Sequence, residues 1–64
     1  MYIIVVTFHE FAPNSARIID NRFPRFSNGG DSVYQVHEAY VDRFMQDAKN
    51  NTHVKSCQKY RYEP

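Results

Sequence analysis

The run Tyr2-Ile3-Ile4-Val5-Val6-Thr7-Phe8 is apolar at both odd and even positions. A strand with one face in water alternates apolar and polar residues, whereas a continuous apolar run asks for cover on both sides. Only one later segment has the periodicity of an amphipathic helix, and one helix shields one face of a small sheet. The opposite face must be covered by a second copy of the chain, by a target protein, or by loops folded over it.

Size sharpens that requirement. A chain of 64 residues buries only about 60% of the surface that its unfolded form exposes. Without a staple, a core of this kind supplies about 3–5 kcal/mol. A disulfide within the chain is excluded, because Cys57 is the one cysteine. His9, His37 and His53 are too widely spaced to form a zinc set with it, so no metal and no cofactor are expected. Oligomerisation or partner binding is the remaining common route to stability.

The lone cysteine fits a reducing compartment. No basic leader or small-residue cleavage site accompanies the first apolar run, so a cytoplasmic location is expected. No stretch approaches the length of a membrane span, which needs about 20 apolar residues. Asn50-Asn51-Thr52 matches a glycosylation sequon but reads as a helix stop in a cytoplasmic chain.

The net charge of +1 provides no global field to attract nucleic acid or a membrane. The charges are nevertheless uneven. Lys55, Lys59 and Arg61 share the C-terminal segment, and Arg17, Arg22 and Arg25 form a second basic group partly offset by Asp20. Glu38, Asp42 and Asp47 lie on the helical segment, against Arg43 and Lys49.

The pattern predicts one domain over residues 1–64, of α+β class and ββαβ order. Tyr2 to about Phe11 is the first strand, rich in β-branched and aromatic residues. Ala12-Pro13-Asn14-Ser15 breaks it, and Ala16 to about Asn21 is a weaker second strand. Pro24 makes Arg22–Phe26 an edge or loop, and Ser27-Asn28-Gly29-Gly30 is a turn. Ser32, with Gln35 three residues on, has the spacing of a capping box and predicts a helix from Ser32 to Asn50. Val33, Val36, His37, Tyr40, Val41, Phe44 and Ala48 gather on one side of it. Asn50 or Asn51 would end it in the left-handed conformation. His53–Tyr62 is the last strand, with Val54, Ser56, Gln58, Tyr60 and Tyr62 on one face. The expected sheet is three-stranded and antiparallel, of order 2-1-3, with the helix packed on one face.

Catalytic signatures are lacking. There is no phosphate loop, zinc-protease helix or nucleophile elbow. His37 reads as a half-buried histidine with a backbone partner. His9-Glu10, with Asp20 across the hairpin, reads as a solvated strand end rather than an acid/base pair. The chain is therefore expected not to be an enzyme.

Two aromatic-basic clusters stand out. Arg22, Phe23, Arg25 and Phe26 lie in a loop, where binding residues concentrate. Tyr60 and Arg61 lie on the last strand, near Lys55 and Lys59. Tyrosine and arginine dominate protein–protein hot spots. Cations alternating with rings also suit nucleic acid. The near-zero net charge favours a protein partner, with a small nucleic-acid-binding regulator as the alternative.

The layout as a whole resembles the small early proteins that large tailed phages make to take over a host. The parts that carry the resemblance are the strand Tyr2–Phe8, the helix ending at Asn50, and the closing strand Val54-Lys55-Ser56-Cys57-Gln58-Lys59-Tyr60. Such proteins include antitoxins, inhibitors of restriction or CRISPR systems, and inhibitors of host polymerase. The resemblance implies a non-catalytic inhibitor that acts in the host cytoplasm by steric occlusion of a host protein. A homodimer is the accompanying expectation from the doubly apolar strand.

Overall fold

The computed structural model describes residues 1–62. In chain order it contains β1 (Tyr2–Phe8), a 3-10 turn (Asn14–Arg17), β2 (Arg25–Asn28), β3 (Asp31–Val36), α1 (Glu38–Asn50) and β4 (Val54–Arg61). The fold is α+β, with one helix against an antiparallel sheet. That sheet has four strands in the order β2-β3-β1-β4, rather than three in the order 2-1-3. The expected placement of the most apolar strand in the interior, beside the last strand, holds: β1 lies between β3 and β4.

The extra strand arises at Gly29-Gly30. Their φ angles of 57° and 96° lie in the region that favours glycine, and two successive positive φ values define the tight hairpin turn whose twist matches the flanking strands. Asn28 pairs with Asp31 across it. The chain therefore returns as a strand, and Asp31–Val36 is β3 rather than the first turns of a helix. Ser32 caps nothing: it is fully buried, and its Oγ donates to the Arg17 carbonyl at 2.9 Å.

Helix α1 starts five residues later than the capping-box spacing implied, with His37 rather than Ser32 as its cap. His37 holds an extended backbone before it, and its Nδ1 accepts the Ala39 N–H at 3.2 Å, satisfying one of the unpaired donors of the first turn. His37 is thus an exposed cap with a backbone partner, outside the apolar stripe. Val41, Phe44 and Ala48 are buried as the periodicity demands, but Tyr40 is 57% exposed. At the other end Asn51 keeps a negative φ of −82°, not a left-handed one. It closes the helix by donating its N–H to the Ala48 carbonyl, while its Oδ1 accepts from the His53 N–H.

The expected strand at Ala16–Asn21 does not form. Residues 9–24 instead fold back over the sheet. The Ile19 N–H donates to the buried Tyr34 hydroxyl at 2.8 Å. Arg17 donates from Nη1 to the Gly30 carbonyl (2.6 Å) and from Nε to the Ala12 carbonyl (3.2 Å), with its guanidinium 5.7 Å from the Phe8 ring centre. Phe23 packs edge-on against Phe44 at 5.6 Å.

The register fixes which side chains share a face. Ile4, Val6 and Phe8 of β1 and Ser32, Tyr34 and Val36 of β3 point to the helix side. Cys57, Lys59 and Arg61 of β4 pair with Val6, Ile4 and Tyr2, and so stand on that side too. An irregularity between Thr7 and Phe8 leaves Lys55 as an extra residue in β4. Such a bulge inverts the parity of the strand beyond it. Val54 therefore joins Phe8 and the core instead of sharing a face with Ser56, Gln58 and Tyr60. Helix and loop thus cover the same face, and the loop does nothing for the other one.

Candidate functional site

The uncovered face is built by the alternate residues of all four strands. Asn28 and Asp31 at the hairpin, with Thr7 and Ser56, form a polar end. Next along the strands, Phe26, Val33, Val5 and Gln58 stand side by side across the sheet. Gln35, Ile3 and Tyr60 form the following row. The Tyr62 N–H then donates to the Met1 carbonyl at 3.0 Å, carrying the ladder on by one residue.

Phe26, Tyr60, Met1 and Tyr62 are all more than half exposed, at 55, 52, 53 and 54%. Ile3, Val5 and Val33, side by side within the sheet, are half-buried. The Tyr60 hydroxyl donates to Gln58 Oε1 on the same face, which ties two rim side chains together. A surface with an apolar middle and a polar border has the anatomy of a protein interface. A sheet face that stays in water would instead carry mainly polar residues, the apolar ones alternating to the other side.

The residues singled out in the sequence divide between surfaces. Phe26 and Tyr60 come together on the uncovered face, at opposite edges of the sheet and about 14 Å apart across the strands at the usual strand spacing. Arg25 pairs with Tyr34 on the helix side and donates from Nε to Ser32 Oγ at 2.9 Å. Arg61 also stands on the helix side, opposite Tyr2. Arg22 lies in the loop, where it forms a two-pronged pair with Asp20 (Nη2–Oδ2 2.8 Å) and donates its backbone N–H to Oδ1 at 2.9 Å. Those bonds hold the Asp20 carboxyl below its ordinary range and raise the Arg22 guanidinium further. Phe23 is half-buried between Phe44 and Tyr40.

The residues that the sequence reading did not single out are Ile3, Val5 and Val33. For Ile3 and Val5 the signal was present in the first strand, which is apolar at odd as well as even positions, whereas Val33 falls by its spacing in the expected helix stripe. The last strand offers the opposite lesson: its rings and its cations alternate in sequence, so Tyr60 faces one way and Lys59 and Arg61 the other.

Elsewhere the surface has little concavity. A recess between loop and helix, lined by charged and aromatic groups that include Asp20, Arg22, Arg43 and Asp47, measures about 20 Å³, room for about one water. Asp20 is engaged by Arg22 and not by His9, whose N–H donates to the His53 carbonyl at 2.9 Å. Cys57 is half-buried, with its Sγ 3.4 Å from Met45 Sδ, and burial raises its thiol above the usual range. Among the described residues, no group of three or more His, Cys, Asp or Glu is placed to hold a metal ion. None of the described helices is long and apolar enough to cross a membrane. Comparison of the chain with protein-family models, with curated proteins and with solved structures finds no match in any of the three.

Proposed function

We propose that this chain is a small non-catalytic binding protein that acts by occluding the surface of another protein, with the uncovered sheet face as its contact. The observation that carries this reading is the row Phe26, Val33, Val5 together with Ile3 and Tyr60, an apolar centre left in water by a fold that covers only the other side. On the layout resemblance, the partner is a host defence factor or a toxin, the source is a phage or mobile element, and the site of action is the host cytoplasm. Occlusion needs rigid area and a few ring anchors, and a sheet face supplies both.

Nucleic-acid binding is the competing reading. It needs cations and stacking rings on one surface, and the register sets Tyr60 apart from Lys59 and Arg61, which weighs towards protein. The test is affinity capture from host lysate with wild-type and variant chains over a salt series. A specific protein should be retained at high salt. Phe26→Ala and Tyr60→Ala should each weaken its capture by about thirtyfold, the equivalent of ~2 kcal/mol for a true anchor. Arg22→Ala, on the far side, should leave it unchanged. Retention of nucleic acid that falls steeply with salt would overturn the reading in favour of the alternative.

A further inference from the structure

Resting on the reading that the uncovered face is a protein contact, we infer that in the free protein this face is closed by a second copy of the chain, two sheets stacking face to face with the helices outermost. The partner must release this pairing to bind. Three observations select a second copy as the occupant.

The first is charge. In a two-fold symmetric pair a patch meets itself, so a row of like charges would be set against its own copy. The chain carries 15 ionised side chains, counted as 8 Lys and Arg plus 7 Asp and Glu. Among those in the described residues, Asp31 alone lies on the strand positions of this face, and it sits at the hairpin end. Lysine and arginine are confined to the helix side, the loops, the helix and the bulge. Away from the hairpin end the strand positions of the face can therefore meet their own copy without repulsion.

The second is composition. Thr7, Asn28, Gln35, Ser56 and Gln58 surround the apolar centre with groups that both donate and accept hydrogen bonds. Such groups are self-complementary, because a carboxamide or hydroxyl can bond to its own symmetry mate.

The third is area. The four strands are seven, four, six and eight residues long, and at about 3.3 Å per residue and about 4.8 Å between strands they present a face of about 400 Å². That is about 800 Å² in total from two copies, below the ~1,200 Å² of a specific, stable pair and in the range of a weak, transient one. A pairing of this size is weak enough to be exchanged for a partner. It also supplies the second apolar layer that so short a chain lacks.

The experiment is sedimentation equilibrium of the full chain from about 1 to about 300 µM, a range chosen for micromolar pairing, on wild type, Val5→Lys and Gln58→Lys. Val5 is central to the face, whereas Gln58 is an exposed polar position on the edge strand where a lysine leaves the fold intact. Helical circular dichroism confirms folding of each variant, and the Gln58 variant carries the test if the Val5 variant unfolds. The expected result is a two-chain mass for wild type at high concentration and a dissociation constant at least about 100-fold weaker in either folded variant, since like charges are then brought together in the buried pair. A wild-type chain that stays single throughout overturns the inference, as does a pair that both variants leave intact, since it would use another surface. The outcome is separable from that of the docking reading. A single-chain protein that loses its captured partner on Phe26→Ala defeats the second copy and leaves docking standing. A pair whose mass is unmoved by the captured partner defeats docking through this face and leaves the second copy.

Discussion

Phe44 and Tyr40 are aromatic residues one helical turn apart on α1, and their fates should differ sharply. Phe44 is 2% exposed and Tyr40 57%. The Phe44 ring lies 4.8 Å from Tyr34 and 5.6 Å from Phe23, so it joins the sheet, the helix and the loop in a single contact. Truncating a buried phenylalanine to alanine costs about 3–5 kcal/mol through lost transfer energy and the cavity left behind. The two ring contacts place this one at the upper end, since each such pair adds about 0.5–1.5 kcal/mol beyond area. A core of this size rarely supplies more than about 3–5 kcal/mol, so Phe44→Ala should be largely unfolded at 25 °C. Tyr40→Ala keeps its backbone in place and loses only edge contacts to Phe23 and His37, at about 0.5–1 kcal/mol by the usual scale for partly exposed sites. Phe44→Leu, which keeps most of the volume, should cost about 1–2 kcal/mol and give a measurable transition. Urea titrations followed by far-ultraviolet circular dichroism read all three. Equal midpoints for Tyr40→Ala and Phe44→Ala would refute the helix rotation and, with it, the assignment of the core face.

Two further substitutions probe the loop. Tyr34→Phe removes the hydroxyl that accepts the Ile19 N–H. Leaving that donor unpaired should cost about 1–3 kcal/mol and speed exchange of the Ile19 amide while β1 amides stay protected. The second concerns pH. The folded Asp20 carboxyl lies below its ordinary value because of Arg22, so its contribution is fully present above the unfolded carboxylate value, about 3.9. It is lost as the pH falls through the lowered folded value. Exchange of the Arg22 amide, which donates to Asp20 Oδ1, should become less protected on acidification below about pH 4, and in Asp20→Asn that acid dependence should vanish. Unchanged dependence in the variant would assign it to another group.

The parts of this fold that were legible in the sequence are those where one physical signal acts alone. The doubly apolar run placed β1 in the sheet interior, and the spacing of Val41, Phe44 and Ala48 set the buried stripe of α1. The misreadings came where two signals compete. Ser32-Val33-Tyr34-Gln35-Val36 satisfies a capping box and an i, i+3 apolar pair, but it also alternates Ser32, Tyr34 and Val36 toward one face. The Asn28-Gly29-Gly30 turn decides between them, because two glycines at positive φ bring the chain straight back against its own path. An exposed His37 then serves as the cap, a role its residue type does not advertise. Pro24 left Arg25-Phe26 open as an edge, but Ser27-Asn28 read as a turn: all four residues of β2 are exposed, and the strand exists because the hairpin offers it a ladder. The bulge at Lys55 is equally silent, since a parity break leaves the composition unchanged.

The candidate site was half legible for the same reason. Phe26 and Tyr60 could be singled out from residue type, but a strand alternates its faces, so Arg25 and Arg61 were grouped with them only along the chain. Ile3, Val5 and Val33 looked like core residues. They are not, because the loop that might have covered them is held to the helix side by Arg17, Tyr34 and Ser32.

The most direct measurement is an isotope-filtered nuclear Overhauser experiment on an equimolar mixture of labelled and unlabelled chains at a concentration where wild type is paired. The account predicts contacts between chains from the Val5, Val33 and Ile3 methyl groups to the Phe26 and Tyr60 rings, and none from the Val6 or Val36 methyl groups, which face the helix. Contacts between chains confined to α1 or to the β4 edge, or none while the outward methyl groups remain open to a soluble paramagnetic probe, would contradict it.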